Sequence, residues 1–306
     1  MTTLFNSETN QSVFRSNTTI TSFEEFQYFT GLTSVEDHAF YSCENLKSVI
    51  VPKNVTTIGP SAFSGCKYLS VELPEGLTSI DSEGFRNCFY MKDIRLPESL
   101  TTIGRSAFGD CFTLKTLYIP KNVNSINFMN GALGNMRGLV SIVVDPENQT
   151  YDSRNGCNAI IEKSTKGLRA ACRNTIIPES VVSIYGFANH SQLKSIVIPD
   201  SVTEVVASAF YGCSQLKSVV AKGTTPPTLG SNAFTNINAD CVLTVPKGKI
   251  SAYRAAGWGD GQEESPAIFK QIVEAAPDGI PGDLNGDGKV DITDVTKLVN
   301  VILGRQ

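Results

Sequence analysis

Four cysteines, Cys43, Cys66, Cys88 and Cys111, recur at intervals of 23, 22 and 23 residues, and this rhythm constrains the fold more than any other feature. A residue that returns at a fixed interval of roughly 20–50 positions marks one place in a structural repeat. The apolar residues around each cysteine return in step with it. Leu32, Val55, Leu77 and Leu100 open the units, and Val35, Ile58, Ile80 and Ile103 stand three positions later. A phenylalanine follows at position eight (Phe40, Phe63, Phe85, Phe108), then the cysteine, then Leu46, Leu69, Met91 or Leu114. Units end in an alternating run and a proline, as in Val49-Ile50-Val51-Pro52 and Leu117-Tyr118-Ile119-Pro120. The second unit is one residue short there, reading Leu69-Ser70-Val71-Glu72-Leu73-Pro74.

Alternation with a period of two is the mark of a strand with one buried face, so Val49 and Val51 point inward and Ser48 and Ile50 outward. Proline cannot donate to a ladder and ends the strand. The Ala-Phe and cysteine positions carry the chain round the other side of the coil. One such turn buries too little surface to stand alone, but stacked turns share a continuous core. The expected fold is therefore a leucine-rich-repeat solenoid: a right-handed coil with parallel strands on one face and mostly turns and short helices on the other. Later units drift from the pattern. One begins at Val123 and places Asn135 and Met136 where the phenylalanine-to-cysteine stretch belongs. The pattern resumes at Val181, with Phe187 in place and His190 in the cysteine slot, and again at Val202 with Phe210 and Cys213. Between them, near 145–174, a Gly- and Asn-rich stretch holds two short apolar runs and reads as a β-hairpin insertion.

Eight cysteines are present and no CxxC pair, so spacing argues for buried thiols at a repeat position. Neighbouring turns lie about 5 Å apart, which leaves bridges between turns open as the alternative, Cys157 and Cys172 being the foremost pair. The charge balance of 26 basic against 30 acidic residues lacks the basic footprint of a nucleic-acid binder. No apolar run reaches the roughly 18 residues of a membrane span.

The string LTTIGRSAFGDCFTLKTLYIPKNV, Leu100 to Val123, resembles the BspA-like leucine-rich repeats of bacterial surface proteins. The resemblance runs from about Ser22 to Val273. It takes in Asn148 to Val181, similar to the family's irregular hairpin repeat, and Cys241 to Asp260, similar to its C-terminal cap. It implies adhesion or protein recognition, and an extracellular or cell-surface location. No charged-then-apolar leader opens the chain at Met1, so either the protein is not secreted or the sequence is a mature form with an added methionine; the resemblance to a secreted family implies the second. The expected organisation is an N-terminal cap over 1–31, repeats over 32–230, a C-terminal cap and linker over 231–277, and a separate segment over 278–306.

That last segment reads as an EF-hand-type loop with a small helical tail. Asp283, Asn285, Asp287, Lys289, Asp291 and Asp294 occupy positions 1, 3, 5, 7, 9 and 12, with Gly288 at the sharp turn. Calcium takes six to eight hard oxygen ligands, and alternate residues of a tight loop deliver them to one point. Lys289 would contribute its carbonyl; Asp at position 12 makes a bidentate ligand less secure than the EF-hand Glu. The loop and the following VTKLVNVILG resemble one of the two repeats of a type I dockerin, which implies calcium as cofactor and a cohesin-like scaffold as a partner.

Catalytic groups are scarce. The chain has two histidines, of which His38 sits at a turn position and His190 replaces a ladder cysteine. Glu36-Asp37 and Glu263-Glu264 do not recur as facing pairs, and no nucleotide-binding or nucleophile-elbow motif occurs. The chain reads as a non-enzyme. Its candidate partner surface is the outward face of the strands, where Ile50, Glu72, Asp93, Arg95 and Tyr118 fall on successive turns; tyrosine and arginine are enriched at interface hot spots. The expected partner is an extracellular or host protein. Lys47, Lys92, Lys115, Lys194 and Lys217 line one edge of that face, as a solubility device or as an attractor for an anionic glycan. The alternative is a calcium-dependent assembly component whose solenoid serves as a spacer or glycan-associated unit.

Overall fold

The computed structural model describes residues 5–6, 11–129, 133, 135–262 and 266–275. They form a β-solenoid of about ten turns. Most of the proline-terminated runs supply strands to a long parallel ladder, which is broken into three segments. Ser22–Phe23, Ser48–Ile50 and Ser70–Glu72 form its first segment, with Val49 opposite Val71. Thr116–Ile119 and Ser141–Val144 form the second. Ser195–Ile198, Ser218–Ala221, Val242–Val245 and Gln271–Glu274 form the third.

The opposite side of the coil keeps the expected turns but has strands in place of the expected short helices. It carries a second parallel ladder built from two-residue strands: Ser34–Val35, Thr57–Ile58, Ser79–Ile80, Thr102–Ile103 and Ser125–Ile126. The inward Val or Ile of each strand is buried, and the preceding Ser or Thr faces solvent, so one residue per turn anchors it. Threonines one step earlier bind the turns further: Thr78 Oγ1 donates to the Thr56 carbonyl at 3.0 Å and Thr101 Oγ1 to that of Thr78 at 3.0 Å. Among the described residues the one α-helix is Ile250–Ala255, and the expected EF-hand-like tail lies outside them.

Inside, two columns run along the axis. Phe40, Phe63, Phe85 and Phe108 stack face to face, with centroids 5.1, 5.4 and 5.8 Å apart and planes within 3°. Beside them each thiol donates to the phenylalanine carbonyl of the preceding turn: Cys66 to Phe40 at 3.1 Å, Cys88 to Phe63 at 3.4 Å, Cys111 to Phe85 at 3.3 Å. Burial holds these thiols protonated, pushing Cys111 up to about 12. The cysteine slot thus selects a small apolar side chain that still carries one donor. All eight cysteines are buried and free, and the alternative of inter-turn bridges is not realised.

Both ends of the core are closed by aromatic groups. Phe14 stacks on Phe40 at 5.2 Å, and Phe23, Phe26 and Phe29 pack around it. At the other end Trp258 and Tyr253 are fully buried, and their polar tips donate to the Pro227 and Gly223 carbonyls, each at 2.8 Å. Open repeat cores need such capping.

One turn breaks the pattern. The chain runs out as Tyr151–Asp152, Ala159–Glu162 and Gly167–Ala171, antiparallel to one another, before Gly167–Ala171 rejoins the short ladder beside Ser183–Ile184. From Ile103 to Pro120 an ordinary turn spans 17 positions; from Leu168 to Pro178 this one spans 10. The missing length is the Ala-Phe turn, so the phenylalanine stack stops at Phe108 and restarts as Phe187, Phe210 and Phe234. Leu133 and Met136 fill the phenylalanine and cysteine places of the turn before it.

Candidate functional site

The outward residues of the long ladder fall into groups set by its breaks. Ile50 and Glu72 lie opposite each other on paired strands, Ile50 half-buried and Glu72 exposed. Asp93 and Arg95 are exposed but lie on a stretch with no ladder hydrogen bonds, which corrects the expectation of a continuous strand face. The turn before them is the one that is a residue short, so the two runs do not share a hydrogen-bonding frame. Arg95 reaches Glu75 at 2.9 Å, and with both side chains mostly exposed that pair contributes little to stability. Tyr118 resumes the ladder, paired with Val143. Its hydroxyl donates to the Asp145 carboxylate, which pushes the phenol up to about 12 and holds the carboxyl below its usual range. Of the five residues only Ile50 and Glu72 are paired across the ladder; Asp93 and Arg95 lie on the gap and Tyr118 beyond it, so they do not form one patch.

Beyond Tyr118 the same outward column becomes apolar. Tyr118, Val143, Ile176 and Val197 are 41, 45, 72 and 45% exposed on successive turns, and Val220 continues the line half-buried. Exposed large apolar side chains scattered singly are ordinary, but a contiguous row is informative. Ile176 escaped the repeat alignment because it lies beyond the hairpin. The string Ile176-Ile177-Pro178, matched to Ile50-Val51-Pro52, is the signal that finds it. Around Ile176 the strand positions again lack ladder bonds, which leaves an apolar hollow lined by Ile176, Val197 and Pro199 with Lys222 and Glu179 paired at its edge at 3.2 Å.

The five edge lysines are all exposed, and among the described residues none of them pairs with a carboxylate. On the turn side, Tyr68 and Tyr90 stack at 4.8 Å in the open, next to Phe89 and Phe112 at 5.2 Å.

His38 adopts a left-handed backbone (φ 56°) and its Nδ1 faces Asp37, half in solvent. Other turns place Ser61, Glu83 and Ser106 in the same conformation, so the position is a feature of the coil. His190 is buried, with Nε2 3.0 Å from the Ala171 carbonyl and Nδ1 3.3 Å from that of Ala188. Its Nε2 contact reproduces the thiol contact to the preceding turn, and burial lowers its pKa. The proposed calcium ligands Asp283, Asn285, Asp287, Lys289, Asp291 and Asp294 lie outside the described residues. Among the described residues there is no cluster of three His, Cys, Asp or Glu placed for a metal, and no helix long and apolar enough to cross a membrane.

Six copies of the BspA type leucine rich repeat region match the chain, over residues 7–131 and 171–253. Three solved structures share the fold. A leucine-rich repeat protein from Eubacterium ventriosum is 22% identical with a TM-score of 0.55, covering 80% of this chain and 71% of that one. A leucine rich cell surface protein from Faecalibacterium prausnitzii is 21% identical with a TM-score of 0.50, covering 87% and 84%. A leucine-rich repeat protein from Bacteroides ovatus is 23% identical with a TM-score of 0.50, covering 80% and 65%. No curated protein matches the chain.

Proposed function

Because the chain belongs to the BspA-type leucine-rich repeat family, we propose that it is a protein-recognition solenoid, displayed outside the cell, that binds an extracellular or host protein through the outward face of its long ladder. The observation that carries this reading is the apolar row Tyr118, Val143, Ile176 and Val197 on an open sheet face. Such a row costs solubility unless something covers it, and paired parallel strands hold Tyr118, Val143 and Val197 with little entropy left to lose on binding. Glu72, Asp93 and Arg95 would add polar groups on the turns before that row and set specificity rather than affinity. A non-enzymatic role agrees with the solenoid fold and with the structural positions that both histidines occupy.

Plate binding of the full chain to a panel of extracellular-matrix proteins tests this. The triple change Val143→Lys, Ile176→Lys and Val197→Lys should abolish any saturable binding, while Tyr118→Ala and Arg95→Ala should weaken it several-fold. Binding that survives the triple change would remove the face from consideration.

The donor pattern of 283–294 supports a second role. The acidic and amide oxygens at alternate positions suit calcium, and the loaded loop would serve as a docking element for a cohesin-like scaffold. Calorimetry with calcium should show one site that Asp287→Ala removes. Calcium uptake without capture by any of a cohesin panel would leave an anchor role and exclude the scaffold.

A further inference from the structure

The hairpin turn leaves a cleft on the side of the coil away from the long ladder. Without the Ala-Phe turn, only Ala170 and Ala171 span the distance between the neighbouring turns, and a cavity of about 630 Å³ opens there. Arg169 lines it together with Phe128, Met129, Tyr185, His190 and Tyr211.

Arg169 is fixed and unmatched. Its guanidinium carbon lies 4.3 Å from the Tyr185 ring centre and 5.2 Å from that of Phe128, so two aromatic faces hold its plane. Its Nε is buried without a hydrogen-bond partner. Among the described residues no carboxylate pairs with it, and the residues lining the cleft include no Asp or Glu. Arg154 and Arg254, by contrast, each hold an aspartate by two contacts.

We propose that this cleft binds a small apolar carboxylic acid, its carboxylate on the Arg169 fork and its hydrocarbon body against Phe128, Met129 and Tyr211. The planar fork matches a carboxylate in a two-point contact, and the exposed Met129, 73% accessible, supplies an adaptable apolar wall. A phosphate or other dianion fits less well, because Arg169 is alone. His190 cannot serve as a second donor, since both of its ring nitrogens already face backbone carbonyls. The volume falls within the range of small-molecule sites. The site is separate from the sheet face, and either proposal can fail without the other.

The test titrates the full-length protein with 3-phenylpropionate, with its uncharged amide as control, followed by calorimetry and by chemical shifts of the tyrosine rings. The acid should bind saturably and perturb Tyr185, with the amide at least tenfold weaker. Arg169→Gln should lose the preference for the acid, and Arg169→Lys should keep only part of it. A peptide ending in a free C-terminal phenylalanine forms a further arm; binding of the peptide alone would overturn the assignment to a small acid. Equal binding of acid and amide by the unaltered protein would overturn it too, whether or not the Arg169 variants fold.

Discussion

Between Phe40 and Phe108 each turn answers the needs of the one before it with the same two side chains, whereas between Leu133 and Phe187 different side chains must do so turn by turn. In the first region each ring from Phe40 to Phe85 has a ring above and below, and each of their carbonyls receives a thiol. In the second, particular side chains take over. Asn148, fully buried, donates to the Pro120 and Val123 carbonyls and accepts from the Thr150 and Tyr151 amides. Tyr151 Oη accepts from the Ile126 amide, and His190 replaces a thiol. The comparison teaches that periodicity spares the chain from solving each polar group separately. Where periodicity fails, the chain needs dedicated polar residues and is left with an open volume, and there Arg169 has no carboxylate partner among the described residues.

Substitutions can break this contrast from either side. Phe85→Ala removes a ring with stacked neighbours on both faces; it should cost about 3–5 kcal/mol, read as a lowered midpoint in chemical denaturation. Asn148→Leu keeps the branched outline of the side chain yet strands two carbonyls and two amides. At about 1–3 kcal/mol for each buried group left unpaired, a loss of several kcal/mol is expected, tempered where water reaches them. A loss below about 1 kcal/mol for Asn148→Leu would mean that the irregular turn relaxes freely, and the contrast would disappear.

What could be read in advance follows the same division. The phenylalanine and cysteine columns recur, so their burial was legible from spacing alone. The two-residue strands were not, because Thr102–Ile103 is too short to show alternation and one inward isoleucine looks like any apolar residue. The gap at Asp93–Leu96 was hidden for another reason: its sequence, Asp93-Ile94-Arg95-Leu96, alternates as a strand should, and the missing residue lies one turn earlier. Arg169 gave no signal, since Phe128 and Tyr185 come from different turns and meet it only through the hairpin.

The smallest predicted effect is the sharpest test of the idea that His190 stands in for a ladder thiol. His190→Ala should destabilise the protein by about 1–3 kcal/mol, through lost packing and an unpaired Ala171 carbonyl. His190→Cys should recover part of that loss, because the slot accepts a thiol in neighbouring turns, as where Cys213 donates to Phe187 at 3.1 Å. The two proteins should also differ in pH response. Burial lowers the His190 pKa, so the unfolded chain binds the proton more readily than the folded one. Stability from this group is then complete above the ordinary imidazole value of about 6.5 and declines as pH falls through the folded value. Denaturation midpoints measured between about pH 7 and 5 should therefore fall more steeply for the natural chain than for His190→Cys, whose thiol stays protonated throughout that range. Parallel slopes would show that the imidazole is not held neutral by its burial, and the likeness between the irregular turn and the regular ones would then rest on shape alone.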